Sequence, residues 1–222
     1  MQLTQEQTKR INDFLEGIGV DYIDIRYEMV DHIATEIEEK VTDTDTFFEN
    51  QRFQTVFVKY MLSKKDALQK KYQKIVKRRF WADTKIICKN MSIETLKIKN
   101  LLFLALLTSL TYSLSLFNTK NALIVLFILS VALYCYNGYT LHRIFKKYGQ
   151  IKLVQSYTLL LGFISYIPLY IINNPFTIYS EKHFELWKLY THTIFIYLVF
   201  LLCKVLLNDK EKIDTKYRYL TE

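Results

Sequence analysis

Residues 101–117 contain no charged side chain, and neither do residues 122–141 or 153–172. A Lys, Arg or Asp at the centre of a membrane helix costs about 3 kcal/mol. A span needs about 20 mostly apolar residues to cross the hydrocarbon core. Four stretches meet that requirement: roughly Ile98–Phe117, Ala122–Leu141, Ile151–Ile172 and Leu189–Leu207. Lys99, Lys152 and Lys204 lie near their ends, where a long aliphatic stem carries the charge back to water. The 222 residues include only 5 Gly and 2 Pro, and no stretch alternates apolar with polar residues. The expected fold is therefore all-α: a cytosolic helical bundle followed by a four-helix transmembrane bundle.

The loops give an orientation. Lys85, Lys89, Lys97 and Lys99 precede the first span, and the 118–121 turn carries only Lys120. The 142–152 loop carries Arg143, Lys146, Lys147 and Lys152 without an acid. In 173–188, Lys182 and Lys188 are offset by Glu181 and Glu185; Lys204, Lys210, Lys212, Lys216 and Arg218 follow at the C-terminal end. Rich and poor loops alternate, which four spans with both termini in the cytoplasm require. The expected location is the inner (cytoplasmic) membrane. The polar opening MQLTQEQTKR lacks the basic-then-apolar layout of a signal peptide, in line with a cytosolic first hundred residues. Cys88, Cys135 and Cys203 have no CxxC spacing, and their odd number argues against a disulfide framework.

Within the spans, Thr108, Ser109, Thr111, Ser113 and Ser115 read first as helix-packing groups and second as a polar pathway. Asn137 reads as a group that fixes helix pairing. Gly162 and Pro168 are candidate bends, and Tyr134, Tyr136, Tyr139, Tyr170, Trp187 and Tyr190 a candidate interfacial belt. Ion and proton pathways use ionisable groups inside the spans. His192, early in the fourth span and expected at the outer interface, is the main candidate, which argues against a transporter.

Ahead of the spans, amphipathic helices are expected. The first opens on a capping box, Thr4-Gln5-Glu6-Gln7, continues with Ile11, Phe14, Leu15 and Ile18, and ends at Gly17 and Gly19. The second, with Asp21 as N-cap, runs to about Lys40 with Tyr22, Met29, Val30, Ile33 and Ile37 on its apolar face. The third opens on a second box, Thr46-Phe47-Phe48-Glu49, and carries Phe53, Val56, Phe57, Tyr60 and Met61. A fourth spans 64–90 with Leu68, Tyr72, Ile75, Val76 and Ile86 as a stripe. Arg79 and Asp83 fall inside that stripe at a spacing that allows a pair, and Ser92 and Glu94 mark a break. The expected organisation is a three-helix bundle at 1–63, a basic amphipathic linker at 64–97, four spans at 98–207 and a tail at 208–222.

Charge separates sharply along this part. Residues 1–49 hold 13 acids and 4 bases, while residues 50–100 hold 3 acids and 14 bases. The acids Asp24, Glu28, Asp31 and Glu39 share one sector of the second helix with His32 beside it, making Asp24, Glu28, Asp31 and His32 a candidate protein-binding face. A metal is not expected there: the Glu-x-x-His spacing of carboxylate-bridged di-iron bundles is not met, and the neighbouring helices offer no matching ligands. No cofactor is expected. The basic face, with Lys70, Lys74, Lys77, Arg78, Trp81 and Lys85, fits anionic lipid at the cytoplasmic leaflet, with Trp81 as interface anchor. It also fits the chain's own acidic helix. Nucleic acid is not expected, since no recognisable nucleic-acid motif is present. Arg26 falls in the apolar sector of the second helix, where it either pairs with Glu16 or Asp13 or marks a partner-binding surface; the internal pair is the favoured reading.

The stretch DYIDIRYEMVDHIATEIEEK, Asp21 to Lys40, resembles the second helix of HAAS-type proteins. With the layout of a short helical domain ahead of several spans, the resemblance covers roughly residues 4–62. Where that family reads Leu-Gly-x-Pro after the third helix, this chain reads Tyr60-Met61-Leu62-Ser63. The resemblance implies a signalling or interaction role and carries over no catalytic residue.

The expected function is thus that of a non-enzymatic membrane protein with a cytosolic partner-binding or sensing domain. An alternative is a small accessory subunit of a larger membrane complex that binds through its spans. A lipid-modifying enzyme using His142, Arg143 and Tyr139 ranks third, because these residues form no known catalytic pattern.

Overall fold

In a computed structural model the described residues are 2–49, 55–173 and 181–216, with 167–173 and 181–185 described by backbone alone. All regular structure among them is α-helical. The helices are α1 (Gln5–Gly17), α2 (Ile23–Lys40), α3 (Thr44–Phe48), α4 (Val56–Thr95), α5 (Ile98–Phe117), α6 (Thr119–Tyr148), α7 (Lys152–Asn173) and α8 (Glu181–Lys216). The chain divides into two compact units. The first holds residues 1–81 together with 149–152, and the second holds the remainder.

In the first unit, α1 begins as its sequence requires. The Thr4 hydroxyl accepts from the Gln7 N–H at 3.2 Å, and the Gln7 side chain accepts from the Thr4 N–H at 2.9 Å. The helix ends at Gly17, and Gly19 takes φ +87°, a conformation that favours glycine. Ile11 and Leu15 of α1 are fully enclosed with Ile25, Met29 and Ile37 of α2 and Met61 of α4. An aromatic cluster closes the far side: Phe48 stacks on Phe57 with centroids 4.7 Å apart, and Phe47 meets Tyr60 edge-on at 5.6 Å.

Two boundaries differ from those read in the sequence. The N-cap of α2 is Tyr22, one residue beyond Asp21. The expected third helix falls into two elements, and the first starts ahead of Thr46 because Asp43 takes the capping role: its carboxylate accepts from the N–H groups of Asp45 and Thr46. The short α3 that results ends at Phe48, with Glu49 as C-cap instead of as the partner in a capping box. Phe53 lies outside the described residues. Val56, Phe57, Tyr60 and Met61 belong to α4, which continues without interruption to Thr95. No Gly or Pro occurs between Val56 and Thr95, so nothing in the covalent chain stops it at residue 63. The break does come where Ser92 and Glu94 marked it, with α5 restarting at Ile98.

Among the described residues of the second unit, three helices are long and apolar enough to cross a membrane: α5, α6 and residues 186–216 of α8. The expected third span, 151–172, corresponds to α7, whose later side chains lie outside the described residues. Pro168 and Tyr170 lie there too. α8 is the central element, with 72% of its most apolar window buried, against 17% for α5 and 22% for α6. α5 runs antiparallel to α8, in a register fixed by Thr111 with Thr193 (Oγ1–Oγ1, 2.9 Å), Phe103 with Phe200 (4.5 Å) and Asn100 with Lys204 (2.8 Å). Of the hydroxyls in α5, Thr111 reaches another helix; Thr108, Ser113 and Ser115 donate to carbonyls of their own helix.

Truncating Ile37 to Ala, at the centre of the first core, is expected to cost about 2–5 kcal/mol. Hydrogen exchange on the full chain in detergent should show faster exchange in α1 and α2. The same truncation at Phe117, 90% exposed, should leave exchange in both helices unchanged.

Candidate acidic interaction site on helix two

The acidic sector of α2 divides at its second turn. Asp24 is turned inward, with its side chain only 6% exposed. Its Oδ2 takes a hydrogen bond from Arg79 Nη1 of α4 at 2.9 Å, and its Oδ1 accepts from the Lys152 N–H at 3.2 Å. Arg79 Nη2 donates to Glu28, one turn further along α2. A planar guanidinium serves two carboxylates one turn apart better than a point-charge ammonium does. Arg79 thus turns to α2 and not to Asp83 on its own helix.

The start of α2 is held by further contacts within the same unit. The Ile23 N–H donates to the Gln150 carbonyl at 2.9 Å. The Tyr72 hydroxyl accepts from the N–H groups of Asp21 and Tyr22 at 3.2 and 3.4 Å. The Lys152 ammonium stands over the rings of Tyr22 and Phe80, at 4.8 and 5.3 Å. Gly149 has φ +76°, and a Cβ at that position would come within 2.5 Å of Ile23 Cδ1. Residues 149–152, the loop from α6 and the first residue of α7, are thereby bound to the first turn of α2 through backbone, carboxylate and aromatic contacts.

Of the four acidic-face residues proposed from the sequence, Asp24 and Glu28 are committed to this internal network. Asp31 and His32 are exposed, as is Glu39. Glu36, on the flank, pairs with Lys40 of its own helix at 2.6 Å and with Lys64 of α4 at 2.5 Å. Hydrogen bonds from Lys40 and then Lys64 hold the Glu36 carboxyl down at about 2, against an ordinary value near 4.5. Arg26 is buried and pairs with Glu16 at 3.3 Å while donating to the Val20 carbonyl at 3.2 Å. That is the internal pair favoured from the sequence.

Along the basic face of α4, Lys70, Lys74, Lys77, Arg78 and Lys85 are exposed and form no ion pair among the described residues. Trp81 is 63% exposed and meets Phe80 edge-on at 5.4 Å. Attraction between the basic stretch and acidic α2 does operate, but through Lys64 and Arg79. Sequence reasoning missed Lys152 and the role of Arg79. The available signal was Arg79's place inside the apolar stripe of α4, where an inward cation requires an acid opposite it. Among the described residues, no group of three or more His, Cys, Asp and Glu side chains comes together as a metal site.

No family model, curated protein or solved structure matches the chain. The resemblance of α2 to the HAAS-type helix rests on its own residues.

Arg79→Ala leaves a nearly enclosed carboxylate at Asp24 without its cation. The expected loss is about 2 kcal/mol, below the ~3–5 kcal/mol of a fully buried pair because Arg79 remains partly in water. Faster exchange at Ile23–Glu28 would report it, and Arg79→Lys should recover part of the protection. Glu36 makes the first unit acid-sensitive. Its folded value lies below its unfolded one, so its contribution is complete above pH 4.5 and is lost as the pH falls from 4.5 towards 2. An acid titration followed by exchange in α2 should show that loss, and Glu36→Gln should flatten the profile over the same interval.

Proposed function

We propose that this chain is a non-enzymatic integral membrane protein whose N-terminal helical unit binds a protein partner or senses the state of the cell envelope. The observation that carries this reading is the attachment of residues 149–152 to the first turn of α2. Residues 149–151 are the covalent link between α6 and α7, and Lys152 opens α7, so any movement of α2 acts on that link through the Gln150, Lys152 and Gly149 contacts. The free part of the acidic face, Asp31, His32 and Glu39, is the partner-binding edge. A ligand that pulls on this edge pulls on a helix whose other end holds the loop.

The membrane placement is four spans with both termini cytoplasmic. It is supported by the alternating basic loops and by three long apolar helices. On this placement the exposed basic face of α4, with Trp81, lies against anionic lipid of the cytoplasmic leaflet. The second reading, an accessory subunit, draws on the low burial of α5 and α6: a neighbouring membrane protein covers such surfaces as readily as lipid does.

Crosslinking and co-purification from native membranes separates the two. The full chain is compared with Asp31→Lys combined with Glu39→Lys, a reversal at exposed positions that leaves the core intact. The expected result is a soluble partner captured by the parent and lost by the variant. If the captured proteins are membrane proteins retained equally by both, the spans carry the interaction and the sensing reading fails.

A further inference from the structure

We propose that Arg143, Lys146, Lys147 and Lys210 form a binding site for the phosphate of an anionic lipid headgroup. The four cations line one cleft of about 470 Å³ in the second unit, with Tyr148 and Asp214 also on its wall. Arg143, Lys146 and Lys147 come from the last turns of α6, and Lys210 from α8. Asp214 is already engaged: it accepts from the Tyr148 hydroxyl and from the Lys147 ammonium, the latter at 3.1 Å. Among the described residues, Arg143, Lys146 and Lys210 form no ion pair. Four cations against one occupied carboxylate leave the cleft with a strong excess of positive charge, which an anion with several acceptor oxygens would neutralise.

The source of that anion follows from where the cleft lies along the two helices. The charge-free run of α6 ends at Leu141, two residues before Arg143, and the apolar run of α8 ends at Leu207, three before Lys210. The cations therefore stand at the polar edge of two spans, the level of a headgroup. α6 exposes apolar surface up to that edge and beside it: Phe127, Ile128, Val131, Tyr139 and Phe145. The Arg143 guanidinium lies 5.9 Å from the centroid of the Tyr139 ring, an arrangement that suits an interfacial aromatic carrying a cation. A free phosphate ion needs no such apolar approach, whereas the acyl chains of a lipid do.

This inference rests on the membrane-spanning reading, which alkaline carbonate extraction of native membranes tests separately. A chain released by carbonate refutes both. For a chain that stays, native mass spectrometry of the full protein in a non-ionic detergent tests the site alone. Dioleoyl phosphatidic acid is titrated against dioleoyl phosphatidylcholine, with inorganic phosphate as competitor. Phosphatidic acid should be retained in preference to phosphatidylcholine, and millimolar inorganic phosphate should displace little of it. Arg143→Gln and Lys210→Gln should each weaken retention about fivefold, and together about thirtyfold. Lys210→Arg should retain binding, showing that loss in the glutamine variants follows charge and not misfolding. Lys120→Gln, an exposed cation at the opposite end of α6, should leave the preference intact. Equal retention of the two lipids, displacement by inorganic phosphate alone, or unchanged binding in the Arg143→Gln, Lys210→Gln double variant would overturn the proposal.

Discussion

A carboxylate enclosed to the extent of Asp24 must be paired, and its pairing organises the first unit. Charge removed from water is tolerated where opposite charge and hydrogen bonds replace the lost hydration. Asp24 receives Arg79 on one oxygen and the Lys152 N–H on the other. The first interaction fixes where α4 lies against α2; the second brings in a segment more than a hundred residues away. With Ile23 bonded to Gln150 and Tyr72 accepting from the N–H groups of Asp21 and Tyr22, the first turn of α2 is satisfied through tertiary contacts. That explains how Tyr22, which provides no side-chain cap, can begin the helix.

The second unit relies on a different economy. α8 is wrapped by its neighbours, and the specific contacts along it are polar: Thr111 with Thr193, Asn100 with Lys204, and the Tyr157 hydroxyl donating to Asp209 at 2.6 Å. Apolar contact alone selects poorly between registers when every surface is apolar, whereas a hydroxyl or amide that finds one partner selects a single alignment. Near one end of α5 and α8, Glu94 accepts from Asn100 and pairs with Lys97 and, at 3.5 Å, with Lys204. The cations flanking the apolar runs thus divide into a set spent on structure, such as Lys204, and a set left available, such as Arg143 and Lys210.

The acidic sector of α2 shows how far local pattern carries. Asp24, Glu28, Asp31 and His32 are nearly indistinguishable on a helical wheel, and only half of them remain exposed. The difference is made by Arg79, on a helix whose residues are far away in the chain. Similarly, two capping boxes were legible, at Thr4 and at Thr46. The first formed, and the second did not: Asp43 caps the helix three residues earlier, accepting from the Asp45 and Thr46 N–H groups, and the Thr46 hydroxyl donates to its carboxylate.

By itself the sequence determined the helical class, the placement of the apolar runs, the break before Ile98 and the α1 cap, and it favoured an internal pair for Arg26 without selecting Glu16 over Asp13. Each depends on interactions between residues close in the chain or on the cost of placing charge in an apolar setting, and both are written in local order. The tertiary structure alone decided that residues 149–152 join the first unit, that Arg79 turns to Asp24 and Glu28, that α8 becomes the central helix and that four cations from α6 and α8 share one cleft. These depend on which distant groups meet. A periodic pattern indicates that a face is apolar or charged, and the matching partner is selected only when the helices pack.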